Sequence, residues 1–252
     1  QVAFEAQRPQ HLVLLGAPRS VGKLTAEYLA GAAPSDLKVA LAGRSKQKLE
    51  KVRAGLPAPA DQWPIMLADS DDEGSIAQLA GAARVVVTTV GPYLKYGLPL
   101  VLACAEAGTD YADLTGEALF VRRSIDQAHE TATKNGARIV HSCGFDSIPS
   151  DLSVLALHDA AKAADAGDLE ETTLTVTAMN GGFSGGTIAS MKVQLDEGRA
   201  DPAAKRLAAD PFALSPDRDS EPDRRSEPDV TSISRDEDTG AWLAPFVMAT
   251  YN

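Results

Sequence analysis

The chain has 252 residues, 44% of them apolar, enough to bury a substantial core in one large domain or two smaller ones. Its formal net charge of −11 opposes phosphate backbones and no basic patch offsets it, which argues against nucleic acid as a partner. No apolar run approaches the ~18 residues of a membrane span, and Cys104 and Cys143 lack the CxxC or histidine spacing of a zinc site, so a cytoplasmic protein with no membrane span and no metal is expected.

From residue 11 to about 143, apolar strands at 11–16, 37–43, 63–67, 84–90, 110–114 and 137–142 alternate with helical patterns. In the first helix, Leu24, Tyr28 and Leu29 carry the three- and four-residue apolar spacing. Six such steps with right-handed crossovers predict an α/β fold of the Rossmann type, a doubly wound parallel sheet whose ligand lies at the strands' carboxyl ends. The rhythm changes near residue 150. A long strand is expected at 169–180, then the glycine-rich GGFSGGT, then a helix over about 187–198. Residues 199–240, which include SPDRDSEPDRRSEPD, are too polar to repay ordering and read as a mobile loop or an extended crossing segment. The division is therefore a nucleotide-binding domain at 1–149 and part of a second α/β domain at 150–252. A start at Gln1 and an end inside the apolar APFVMATYN read as a fragment.

The stretch HLVLLGAPRSVGKLTAEYLA runs from strand to turn to helix, with Gly16 closing the strand and Gly22 six positions later. Glycine permits a tight turn and close backbone approach, and amides at a helix N-terminus face a pyrophosphate with the favourable end of the dipole. The spacing fits both GxxGxxG and GxxxGxG with the middle glycine missing, as Arg19 in the first frame or Ser20 in the second. Gly16, Ala17, Arg19, Ser20, Val21 and Gly22 are the candidate pyrophosphate residues, against the alternative of an ordinary strand-to-helix turn. The second strand ends in Gly43, Arg44 and Ser45, where the adenosine ribose would lie. Arginine there suits a 2′-phosphate, which predicts NADP(H) rather than NAD, and Arg19 is expected to reach the same phosphate. Asp69 borders the adenine pocket or caps the next helix. Thr89, Gly91 and Pro92, at the end of the fourth strand, fall beside the nicotinamide half, with Tyr93 placed to stack or donate a hydrogen bond, unless this is only a strand-ending turn with a packed aromatic.

Taken together, KLTAEYLA, VALAGRS, VVVTTVGPYLKYGLPLVLACAEAGTDYADLTGE, ARIVHSCGFDSIPSDL, GGFSGGTIASM and WLAPFVMA resemble the saccharopine-dehydrogenase-like oxidoreductases, most closely the trans-acting enoyl reductase branch of lipid and glycolipid biosynthesis. The resemblance implies an NADP-binding Rossmann domain, a substrate and dimerisation domain, and a homodimer for the full-length protein. It also implies hydride delivery to the β-carbon of an unsaturated acyl group, free or carrier-bound, with a peripheral place at a membrane-associated lipid-synthesis machinery. The family's first turn usually reads GATGFTG, so this chain departs at Pro18, Arg19, Ser20 and Val21. Enoyl reduction needs a donor near the developing oxyanion, for which Tyr93 and Tyr111 are the candidates. Asp113 and Glu117 are expected to orient substrate, unless Thr115 and Glu117 start a helix, and GGFSGGT to bind a carrier phosphate or simply turn the chain. A short-chain dehydrogenase is disfavoured because no YxxxK occurs. A nucleotide-binding scaffold or sensor without turnover, and a saccharopine-type reductase of an imine, remain as alternatives.

Overall fold

The computed structural model describes residues 8–169, 172–178, 180, 185–210, 212–217, 219, 232–237 and 240–246. All six expected strands are present: β1 (Gln10–Leu15), β2 (Val39–Gly43), β3 (Ile65–Leu67), β4 (Ala83–Thr88), β5 (Asp110–Ala112) and β6 (Ile139–Val140). They form one sheet in the order β3-β2-β1-β4-β5-β6 with every ladder parallel. Strand order therefore reverses between β1 and β4, and the crevice of this architecture opens at their carboxyl ends.

Two cores flank the sheet. Leu14 and Leu41 face α1 (Ser20–Ala32) and α2 (Lys46–Arg53), where Ala26, Leu49 and Leu56 meet them. Val13, Leu15, Ala40, Ala42 and Val86 face the other way. There they pack against α3 (Glu73–Ala82), α5 (Leu98–Ala107) and α6 (Ala118–Asn135). The one-turn α4 (Tyr93–Tyr96) follows β4. Helix starts follow capping chemistry: Ser45 accepts from Lys48 N at α2, and Asp72, not Asp69, accepts from Gly74 and Ser75 N at α3.

Three expectations change. On α1 the buried residues are Gly22 and Ala26, whereas Leu24 and Tyr28 are 64% and 72% exposed. The close approach of Gly22 to the β1 turn brings the small-residue side of the helix onto the sheet, so the larger apolar groups point outward. The strand expected at 169–180 does not form at 169 or 172–178, where among the described residues no neighbouring strand takes up the backbone hydrogen bonds. Residues 170, 171 and 179 lie outside the described residues. Within the polar 199–240 run, α9 (Pro202–Ala208) is a helix whose Asp201 cap accepts from Ala203 N, with Pro202 at its first position. It packs against α6 and α8 (Gly185–Ala200), the helix expected at 187–198, and Arg123 of α6 pairs with Glu197 of α8. Between β6 and α8, α7 (Ile148–Ala163) buries none of its residues. A short antiparallel pair joins β7 (Ser234–Arg235) and β8 (Trp242–Leu243).

On the α1/α2 face, cover thins across the sheet. Leu14 is fully buried, its neighbours Val87 and Ala112 are half-buried, and Val140 at the edge is 50% exposed.

The turn after β1 supplies a test of packing. A Cβ on Gly22 would lie 2.2 Å from the Gly16 carbonyl oxygen, a backbone atom that cannot swing aside. Gly22→Ala is expected to lower unfolding free energy by about 1–3 kcal/mol, the usual penalty for overpacking, as read by urea denaturation.

Candidate active site

The first turn has the backbone form that a dinucleotide pyrophosphate requires. Gly16 sits at φ +90, a conformation that favours glycine, and its N–H donates to Ala42 O at 2.9 Å. Arg19 N–H closes the turn on Gly16 O at 2.8 Å. Thr89 approaches from β4: its hydroxyl lies 3.3 Å from Gly16 O, and a Cβ on Gly16 would come within 2.6 Å of that hydroxyl. Thr89 is therefore a buttress of the turn. Ala17 is fully buried and offers only its backbone. Arg19 is the N-cap residue of α1 but makes no side-chain cap, so the first-turn amides of Ser20, Val21 and Gly22 face the crevice end without a side-chain acceptor from the cap. These features fit an anionic pyrophosphate.

The second junction adjoins the first. The Pro18 ring lies 3.4 Å from where a Gly43 Cβ would be, so the two β-to-α turns touch. Arg44 follows on the surface, and among the described residues it makes no hydrogen bond or ion pair within the protein. Ser45 Oγ accepts from Lys48 N at 3.4 Å, which leaves its O–H to donate outward. Asp69 is half-buried beyond β3, where it accepts from Asp71 N at 3.2 Å and where Ala68 N ties the segment to Gly43 O. One expectation is corrected here. Arg19 Nη1 donates to Gly91 O at 3.1 Å, across the crevice and toward the loop after β4, not toward Arg44.

The loop after β4 is held from beneath. Glu117, 1% exposed, accepts from Tyr93 N at 2.9 Å and Leu94 N at 2.7 Å, so a carboxylate caps α4 and fixes Gly91 and Pro92 before it. Tyr93 stacks on Phe120 and donates its hydroxyl to Thr88 O at 3.1 Å. Burial and the nearby Asp113 carboxylate push that phenol well above its ordinary pKa. Tyr111 is 1% exposed and donates to Asp113 Oδ2 at 2.8 Å, and burial raises its pKa strongly as well. Both hydroxyls are committed inside the core, so the expectation that either donates to a developing substrate oxyanion is corrected. Strand alternation placed them near the carboxyl ends of the sheet, but their side chains turn into the α5/α6 core.

Asp113 and Glu117 are corrected likewise, from substrate contacts to internal struts. Asp113 takes the Tyr111 hydroxyl, His141 Nδ1 at 2.7 Å, Thr115 N at 3.0 Å and Ser142 N at 3.1 Å. Thr115 accepts from Glu117 N rather than capping α6. His141 Nε2 meets Ser124 Oγ at 2.8 Å, completing a serine–histidine–aspartate chain with the connectivity of a hydrolase triad. Ser124 is 2% exposed inside α6, so this chain ties α6 to β5 and β6 and does not attack a substrate. Nothing in the spacing of these residues announced the network, because its members come from four separate elements. GGFSGGT falls partly outside the described residues, at 181–184, and its Gly185 begins α8.

The model of the saccharopine dehydrogenase NADP binding domain matches residues 12–140, which hold the whole sheet except the first two residues of β1. The chain belongs to that family. The chain is similar to a protein of Mycobacterium tuberculosis strain H37Rv that is provisionally described as a trans-acting enoyl reductase, with 54% identity over 96% of this chain. The trans-acting enoyl reductase of the same strain is 46% identical over 98% of the chain, and that of Mycobacterium ulcerans strain Agy99 is 45% identical over 98%. The chain spans 58–60% of the length of these relatives. Among solved structures, apo saccharopine dehydrogenase (L-Glu forming) from Saccharomyces cerevisiae is similar in fold at a TM-score of 0.51, with 18% identity over 62% of this chain and 32% of that one.

The Asp113 network makes a prediction. Asp113→Asn sets an amide donor against donors already in place and is expected to cost about 3 kcal/mol of stability, as for a broken buried pair. A thermal melt checks it, with the surface variant Asp126→Asn as the control that stays near wild type.

Proposed function

We propose that the full-length protein is an NADP(H)-dependent enoyl reductase acting on an unsaturated acyl intermediate of lipid or glycolipid biosynthesis. The observation that supports it best is Arg44, an exposed cation without a partner among the described residues at the end of β2, in a turn that touches the Gly16–Gly22 turn. A cation just ahead of α2 opposes that helix's dipole, and a 2′-phosphate is the ligand that would repay it. The names of the relatives supply the reaction class.

In this reading the amides of Ser20, Val21 and Gly22 hold the pyrophosphate, Arg44 and Ser45 the 2′-phosphate, and Asp69 borders the adenine. Gly91 and Pro92 shape the nicotinamide side. The bound cofactor would supply hydride to the β-carbon. The proton for the α-carbon comes from a group other than Tyr93 and Tyr111, because both are sealed in the core. Residues 150–252 then contribute part of the substrate and dimerisation domain of a cytoplasmic homodimer, which takes free or carrier-bound acyl groups at the periphery of a membrane-associated machinery.

Titration with NADPH and NADH tests the cofactor half of the proposal. Arg44→Ala should weaken NADPH by about 1.5–3 kcal/mol and leave NADH nearly unchanged. Equal losses for the two cofactors would remove Arg44 from the 2′-phosphate. NADPH oxidation by the full-length protein over a panel of enoyl thioesters, with imines in parallel, tests the reaction class. Binding without turnover on either panel would favour a sensor or scaffold.

A further inference from the structure

Arg19 stands where the dinucleotide turn normally has no side chain, and its position in the crevice gives it a definite task. Its backbone belongs to the turn after β1, while its guanidinium reaches Gly91 O in the loop after β4. These are the two strands between which the order of the sheet reverses. The side chain therefore lies across the switch point, where a dinucleotide passes from its adenosine half to its nicotinamide half. The loop it grips is itself fixed, by Glu117 on the amides of Tyr93 and Leu94 and by the Tyr93 hydroxyl on Thr88 O. On the other side, Ser190 of α8 lies 3.6 Å from where a Gly91 Cβ would be.

We infer that Arg19 is a pyrophosphate-binding latch: it bridges the two loops through Gly91 O before cofactor enters, then exchanges that carbonyl for the bridging phosphates. The inference rests on the cofactor reading above and deepens it. A neutral carbonyl is a weaker partner for a guanidinium than a phosphate, so the exchange favours the bound state. It also accounts for a cation at the N-cap of α1, which opposes the helix dipole until an anion arrives. Arg44 and Arg19 thus divide the cofactor. Arg44 reads the 2′-phosphate that only NADP(H) carries, and Arg19 reads the pyrophosphate that both dinucleotides share.

Calorimetric titration of the full-length protein with NADPH, NADH and 2′-AMP separates the roles, since 2′-AMP carries the 2′-phosphate but neither phosphate of the pyrophosphate. Arg19→Ala should weaken NADPH and NADH by the same factor, about 10-fold or more, and leave 2′-AMP within about twofold of wild type. Arg19→Lys, which keeps the charge but loses the planar fork, should fall between wild type and Arg19→Ala for both dinucleotides. A loss confined to NADPH and 2′-AMP would place Arg19 on the 2′-phosphate and overturn the inference. Unchanged dinucleotide affinity would reduce the contact to a surface tie and overturn it too. Failure of the wild-type protein to bind either dinucleotide would overturn the cofactor reading instead.

Discussion

The contact between Gly22 and the Gly16 carbonyl oxygen is the constraint on which the rest of this fold turns. Only a residue without a Cβ lets the first turn of α1 settle there. That approach sets the pitch of α1 against the sheet and decides that Gly22 and Ala26 are its buried residues. It also aims the opening amides of the helix into the crevice at the reversal of strand order. Thr89 seals the turn from the neighbouring strand, so the geometry of the candidate anion site is built from β1, α1 and β4 together.

A second polar layer supports this frame from the far side. Asp113 and Glu117, four positions apart, bind backbone amides in the segments after β4, β5 and β6 that would otherwise be free at the carboxyl edge. Buried carboxylates are tolerated when every oxygen is satisfied by well-placed donors, and here the donors are mostly main-chain groups that need partners of their own. The layer ties down the loop after β4, while Arg19 and Arg44 remain on the solvent side of the crevice.

Much of this was legible in the residues. Strand–helix alternation located all six parallel strands, and the spacing of Gly16 and Gly22 with Arg44 downstream located the turn region, because tight approach and charge leave local marks. What escaped the sequence depended on direction rather than identity. Tyr93 and Tyr111 occupy the predicted edge, but their rings turn toward Phe120 and His141. Leu24 and Tyr28 have helical spacing, yet a two-glycine contact outranked their size. The Ser124–His141–Asp113 chain joins residues far apart in sequence, and α9 lay hidden in a polar run whose composition masked an Asp-Pro helix start.

The thinly covered half of the sheet bears on how this polypeptide behaves in solution by itself. Parallel sheets ordinarily carry helices on both sides, and the gradient from Leu14 to Val140 leaves a greasy shelf, to which the outward-facing Leu24 and Tyr28 add further exposed apolar surface. Colloidal repulsion from the surplus of 11 negative charges keeps such shelves apart at low ionic strength. Added salt shortens the reach of that repulsion while leaving the attraction intact, so the 252-residue chain grows stickier as buffers become more concentrated.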